Sequence, residues 1–80
     1  MDDREIVDSI NRLAGKEHEL ERRATTDPLD DDEQAELRQI ELQLDQCWDL
    51  LRQRRARRQA GQDPDAAAAR PVDVVEHYQQ

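Results

Sequence analysis

The residues with most chemistry to offer fall into three groups. Glu17, His18 and Glu21 stand close together, and Glu36 comes opposite them if the chain folds back on itself. These are the donor types of a carboxylate–histidine metal centre inside a helical bundle. The bundle motif, however, is Glu-x-x-His on each of two helices, whereas here His18 precedes Glu21 and no second copy follows. His18 also falls off the apolar seam described below, so solvation is its expected state and no metal is expected.

The second group is nucleophilic. Ser9 is the sole serine and no histidine stands at helical spacing from it. Cys47 is the sole cysteine; it lies in an apolar row, where a thiol acts as a small hydrophobe, and it can form no disulfide within the chain. His77 and Tyr78 are neighbours in a tail that offers no rigid pocket of its own. With two glycines, there is no glycine-rich phosphate loop. The chain is therefore expected to be neither an enzyme nor a cofactor carrier.

The third group is basic. "LDQCWDLLRQRRARR" carries five arginines between Arg52 and Arg58 with no acid among them, inside a chain of net charge -8. A nucleic-acid footprint normally belongs to a basic domain, and this one has a pI near 4.6. Five arginines at the end of a helix also complement its dipole, at about 0.3–1 kcal/mol for each favourably placed charge.

The elements that must position these residues are helical. Ile6, Ile10, Leu13, Leu20 and Ala24 recur at intervals of three and four, with Glu17 completing the row, and predict a helix over 3–25. Asp2 precedes Glu5 by a capping-box spacing. Thr25-Thr26-Asp27-Pro28 breaks the pattern, giving a turn over 26–30. Asp30 and Glu33 form a second capping box, and Leu37, Ile40, Leu44, Cys47 and Leu51, continued by Arg54 and Arg58, predict a helix over 31–60. Gly61 and Asp63-Pro64 end it. Residues 61–80 form a tail, partly extended or with a short helix after Pro71. The whole of 1–80 reads as one small all-α domain: an antiparallel, coiled-coil-like hairpin with a C-terminal tail.

If the helices pair antiparallel about the turn, facing residues have numbers summing to roughly 57, because both rise equally per residue. This register stacks Ile6 on Leu51, Ile10 on Cys47, Leu13 on Leu44 and Leu20 on Leu37. It also carries Arg52, Arg54 and Arg55 towards Asp2, Asp3 and Glu5. Glu17 on the seam is left to reach solvent, to find a basic partner or to specify pairing.

Two helices of a chain this short bury little, and 40% of the residues are charged. Trp48 lies one position off the seam beside Val7 and Ala14, and Leu42 and Leu50 extend apolar surface on the other side. The expectation is a homodimeric four-helix bundle, or docking of another protein, with Val7, Leu42, Trp48 and Leu50 at the contact and Val75 and Tyr78 of the tail as a second contact. Whether the tail covers its own hairpin or a partner stays open. The alternative function is nucleic-acid or ribosome contact through Arg54, Arg55, Arg57 and Arg58. MDDREIV has no signal-peptide character and no stretch is apolar enough to cross a membrane, so a cytoplasmic, non-membrane protein is expected.

The stretches "MDDREIVDSINRLAGKEHEL", "LDQCWDLLRQRRARR" and "AGQDPDAAAARPVDVVEHYQQ" together resemble a family of small uncharacterised actinobacterial proteins, known as a domain of unknown function. The likeness runs over essentially the whole chain. It implies that the tail belongs to the domain, and it brings no activity, cofactor or catalytic residue with it.

Overall fold

Two helices lie antiparallel, and each begins where an aspartate can satisfy its first backbone N–H groups. The structure, a computed structural model, describes residues 1–71. Helix α1 spans Asp3–Ala24 and α2 spans Asp31–Gln59. Asp2 accepts the Glu5 N–H at 2.8 Å while the Glu5 carboxylate accepts the Asp2 N–H at 3.1 Å. Asp30 and Glu33 repeat the exchange at 2.8 and 3.2 Å. Both boxes are complete, so the acidic first turns satisfy orphan donors and oppose the helix dipole together.

The core is a single seam. Ile6, Ile10 and Leu13 with Leu20 face Ile40 and Leu44, all buried, and Leu29, Leu37, Cys47, Leu50 and Leu51 pack against them. Ion pairs mark the register at both ends: Arg54 with Asp3 at the open end and Arg23 with Glu33 beside the turn. The fold is thus the all-α hairpin that the apolar spacing predicts. No strand occurs among the described residues, and no helix there is long and apolar enough to cross a membrane.

Helix α2 ends in a Schellman motif. The Gln62 N–H donates to the Arg57 carbonyl at 2.7 Å and the Gly61 N–H to the Arg58 carbonyl at 3.2 Å. Gly61 takes φ +73, the left-handed conformation that glycine adopts without a Cβ clash. The chain reverses there, Asp63 caps a 3₁₀ turn at Pro64–Ala66, and residues 67–71 return along α2 without helix or strand.

Candidate interaction surfaces

One hundred degrees of rotation per residue sorts each helix into a seam and two flanks. In an antiparallel hairpin, the residue after a seam position projects to the same side on both helices. Val7 follows Ile6, Ala14 follows Leu13 and Trp48 follows Cys47, so these three share one flank. The residues before seam positions, Ser9, Gln43, Gln46 and Leu50, share the other. They line a shallow groove of about 280 Å³ together with Leu13, Cys47 and Ala69 of the returning tail.

The tail fastens itself through polar groups. The side chain of Asp49 is 1% exposed and accepts two bonds from Arg70, from Nε at 2.9 Å and from Nη2 at 2.5 Å. Gln53 Nε2 donates to Asp49 Oδ2 at 2.9 Å and to the Ala68 carbonyl at 2.8 Å, and Gln46 Nε2 donates to the Arg70 carbonyl at 3.2 Å. Burial by itself would raise the Asp49 pKa. The Arg70 and Gln53 bonds and the nearby charges of Arg70 and Arg52 outweigh it, holding the carboxyl below its ordinary range. Alanines at 66–69 let the backbone lie close enough to the helix for glutamine side chains to reach its carbonyls.

The arginine cluster divides. Arg54 is buried: it donates from Nε to Asp3, and from Nη1 to Asp65 at 2.9 Å and to the Pro64 carbonyl at 3.2 Å. Arg58 pairs with the same Asp3. Hydrogen bonds from Arg54 and then Arg58 lower the Asp3 pKa, and the bonds that Arg54 donates to Asp3 and Asp65 raise its own. The Arg54 guanidinium, one of the expected phosphate contacts, joins the start of α1, the end of α2 and the tail. Of the proposed phosphate-binding set, Arg55 and Arg58 are exposed and Arg57 is half-buried.

The proposed partner residues also divide. Trp48 is 48% exposed and Val7 43%, large values for apolar side chains on one flank. Leu50 is half-buried against the core on the tail side, and Leu42 is half-buried, at helical spacing from Gln46 and Asp49. Val75, His77 and Tyr78 lie outside the described residues.

The remaining candidates take plain positions. His18 is exposed, and no group of three or more His, Cys, Asp or Glu among the described residues is placed to hold a metal ion. Glu17 is half-buried on the seam; burial first, then the charges of Glu21, Glu41 and Asp45, raise its pKa. Burial raises that of Cys47 against a smaller opposing effect of Arg12, so the sulfur stays a protonated, weak nucleophile at neutral pH. Asp49 and Arg70 are the residues sequence reasoning missed. An acid set between Trp48 and two leucines is a faint sign of burial, and nothing near Arg70 names its partner.

The sequence pattern of a family described as "Protein of unknown function (DUF2630)" matches residues 2–80. The chain belongs to this family. It is 66% identical over 47 residues to two mycobacterial members of the curated proteins, "Uncharacterized protein Rv0898c" of Mycobacterium tuberculosis and "Uncharacterized protein Mb0922c" of Mycobacterium bovis. The aligned part is 59% of this chain and 54% of each relative, so the chain spans about half the length of the curated relatives it matches. These relatives agree with the resemblance to actinobacterial proteins. No solved structure matches the chain.

Proposed function

We propose that this DUF2630 chain is a non-enzymatic helical interaction protein whose first partner is a second copy of itself, two hairpins packing into a four-helix bundle. The observation that carries this reading is the open flank of Trp48 and Val7, beside a seam only two helices thick. A half-exposed indole gains most from a layer placed over it, and a symmetric dimer is the commonest way to supply one.

The test is the mass of the purified chain by light scattering over a range of concentrations, for the wild type and for Trp48→Ala. A concentration-dependent dimer that Trp48→Ala converts to monomer supports the proposal. A folded wild-type monomer at every concentration overturns it.

Nucleic-acid binding is the weaker reading, because Arg54 is consumed by Asp3 and Asp65 and Arg58 shares Asp3. Binding through Arg55, Arg57 and Arg58 would fall steeply with added salt. The absence of a shift in an RNA or DNA titration at low salt would exclude it.

A further inference from the structure

The groove floored by Leu13, Cys47 and Leu50 lies on the flank away from Trp48, and the returning tail leads into it. Gln53 donates to the Ala68 carbonyl and Gln46 to the Arg70 carbonyl, so the tail runs opposite to α2, towards the turn. Ala69 stands at the groove itself, and Arg70 is anchored beside it by its pair with Asp49. Beyond Pro71 the sequence reads "VDVVEHY" over residues 72–78, with three valines, a tyrosine, two acids and no lysine or arginine.

Length and charge both suit this stretch to the groove ahead of it. From Leu50 to Gln43 the groove follows seven residues of α2, about 10 Å at the helical rise. Four residues of extended chain reach about 13 Å, so Val72 to Val75 suffice to cross it. The floor is apolar, and Arg12 is the one charged side chain in the lining. Arg12 is exposed, and close enough to Cys47 for its charge to act on the thiol. Met1 at the rim is 65% exposed, which leaves further apolar surface for a layer over it.

We propose that residues 72–78 of the same chain occupy this groove, their valines against Leu13, Cys47 and Leu50 and the acids Asp73 and Glu76 beside Arg12. The chain's own segment is the occupant because it is already tethered. A stretch that begins two residues beyond an anchored arginine meets the groove at an effective concentration on the order of mM, above that of a second copy in dilute solution. Val75 and Tyr78 then belong to the hairpin rather than to a partner. The Trp48 flank stays open, so this contact is independent of the self-association proposed above.

Cys47, the sole cysteine, lines the groove and reports whether it is covered. The test is the rate at which iodoacetamide alkylates Cys47 in the native whole chain, for the wild type and for V72S/V74S/V75S, each checked for helix content by circular dichroism. The variant should react at least about tenfold faster, the factor that burial of a single valine supplies. Arg70→Ala, which frees the segment at its anchor, should accelerate the reaction as well. So should Arg12→Glu, and D73R/E76R added to it should slow the reaction again. Loss of the Arg12 charge by itself raises the thiol pKa and slows alkylation, so a faster reaction can come only from uncovering the sulfur. Equal rates for the wild type and V72S/V74S/V75S overturn the proposal, and an Arg12→Glu chain that reacts no faster overturns the placement of the acids. Protection of the wild type that disappears on dilution would put a second copy over the groove and overturn the assignment to the chain's own segment.

Discussion

The two flanks of α2 are finished in opposite ways. On one, Gln46, Asp49 and Gln53 receive the returning tail through two glutamine amides and a bidentate arginine pair, and the buried carboxylate is fully engaged. On the other, Trp48 and Val7 stand about half exposed with charges ranged on either side. A strap of alanines has backbone carbonyls to offer and little apolar area, so it suits the polar flank. The indole needs a broad apolar layer that residues 62–71 do not supply. Among the described residues, the side that hydrogen bonds can close is closed, and the side of the indole stays open.

The sharpest way to break this contrast is to unfasten the strap. Asp49→Ala should cost about 1.5–3 kcal/mol in urea unfolding, the range for hydrogen bonds to a charged group, and amides of residues 64–70 should lose hydrogen-exchange protection while those of the α1–α2 seam keep it. Arg70→Ala should cost a similar amount and the double variant scarcely more, since either change releases the same segment. A fully additive double variant would show that the two residues act separately. Acid gives the same comparison without mutation. The Asp49 pKa is depressed in the folded chain, so its contribution is complete above the ordinary carboxyl range and is lost as pH falls through the lower folded value. Strap amides should therefore lose protection on that descent, and the loss should be absent in Asp49→Ala.

Trp48→Ala should behave differently. Its half-exposed ring contributes less to the single hairpin, so unfolding of the dilute, monomeric protein should change by no more than about 1 kcal/mol. A loss as large as that of Asp49→Ala would mean that the indole belongs to the hairpin's own core and that the two flanks are alike.

Much of this arrangement was legible in the residues themselves. The apolar spacing of four and three carries the seam, two Asp-x-x-Glu boxes mark the helix starts, and Gly61 marks where α2 must end. The register followed from two helices rising equally per residue on either side of the turn, and it brought Arg54 to Asp3. What it did not convey was that Arg54 would be buried. An arginine continuing an apolar row can end in solvent or in the core, and the second acid, Asp65, arrives only after the chain reverses at Gly61. The strap was illegible for a related reason. Its contacts run from side chains to backbone carbonyls, which every residue has, and the one specific pair joins Asp49 to Arg70 across a loop whose path no periodicity describes. The Trp48 flank, by contrast, is a property of a single helix and could be read directly.

The smallest effect concerns the one seam position where the core is interrupted. Glu17 lies between Leu13 and Leu20, with Glu21 one turn away and Glu41 and Asp45 on the facing helix. Its folded pKa is raised, so the chain loses stability as pH climbs from the unfolded value through the folded one, the reverse of Asp49. Glu17→Gln removes the charge and keeps the shape. It should stabilise the hairpin by about 0.2–0.5 kcal/mol at pH 7, the size of a like-charge pair one helical turn apart. The gain should shrink as pH falls through the raised folded value and be gone below the ordinary glutamate range, where the carboxyl is protonated in both states. Measuring both chains in the Trp48→Ala background keeps association out of the comparison. A gain that persists unchanged at low pH would trace to packing of the amide; one that vanishes there would show that Glu21, Glu41 and Asp45 repel the Glu17 charge within a single hairpin.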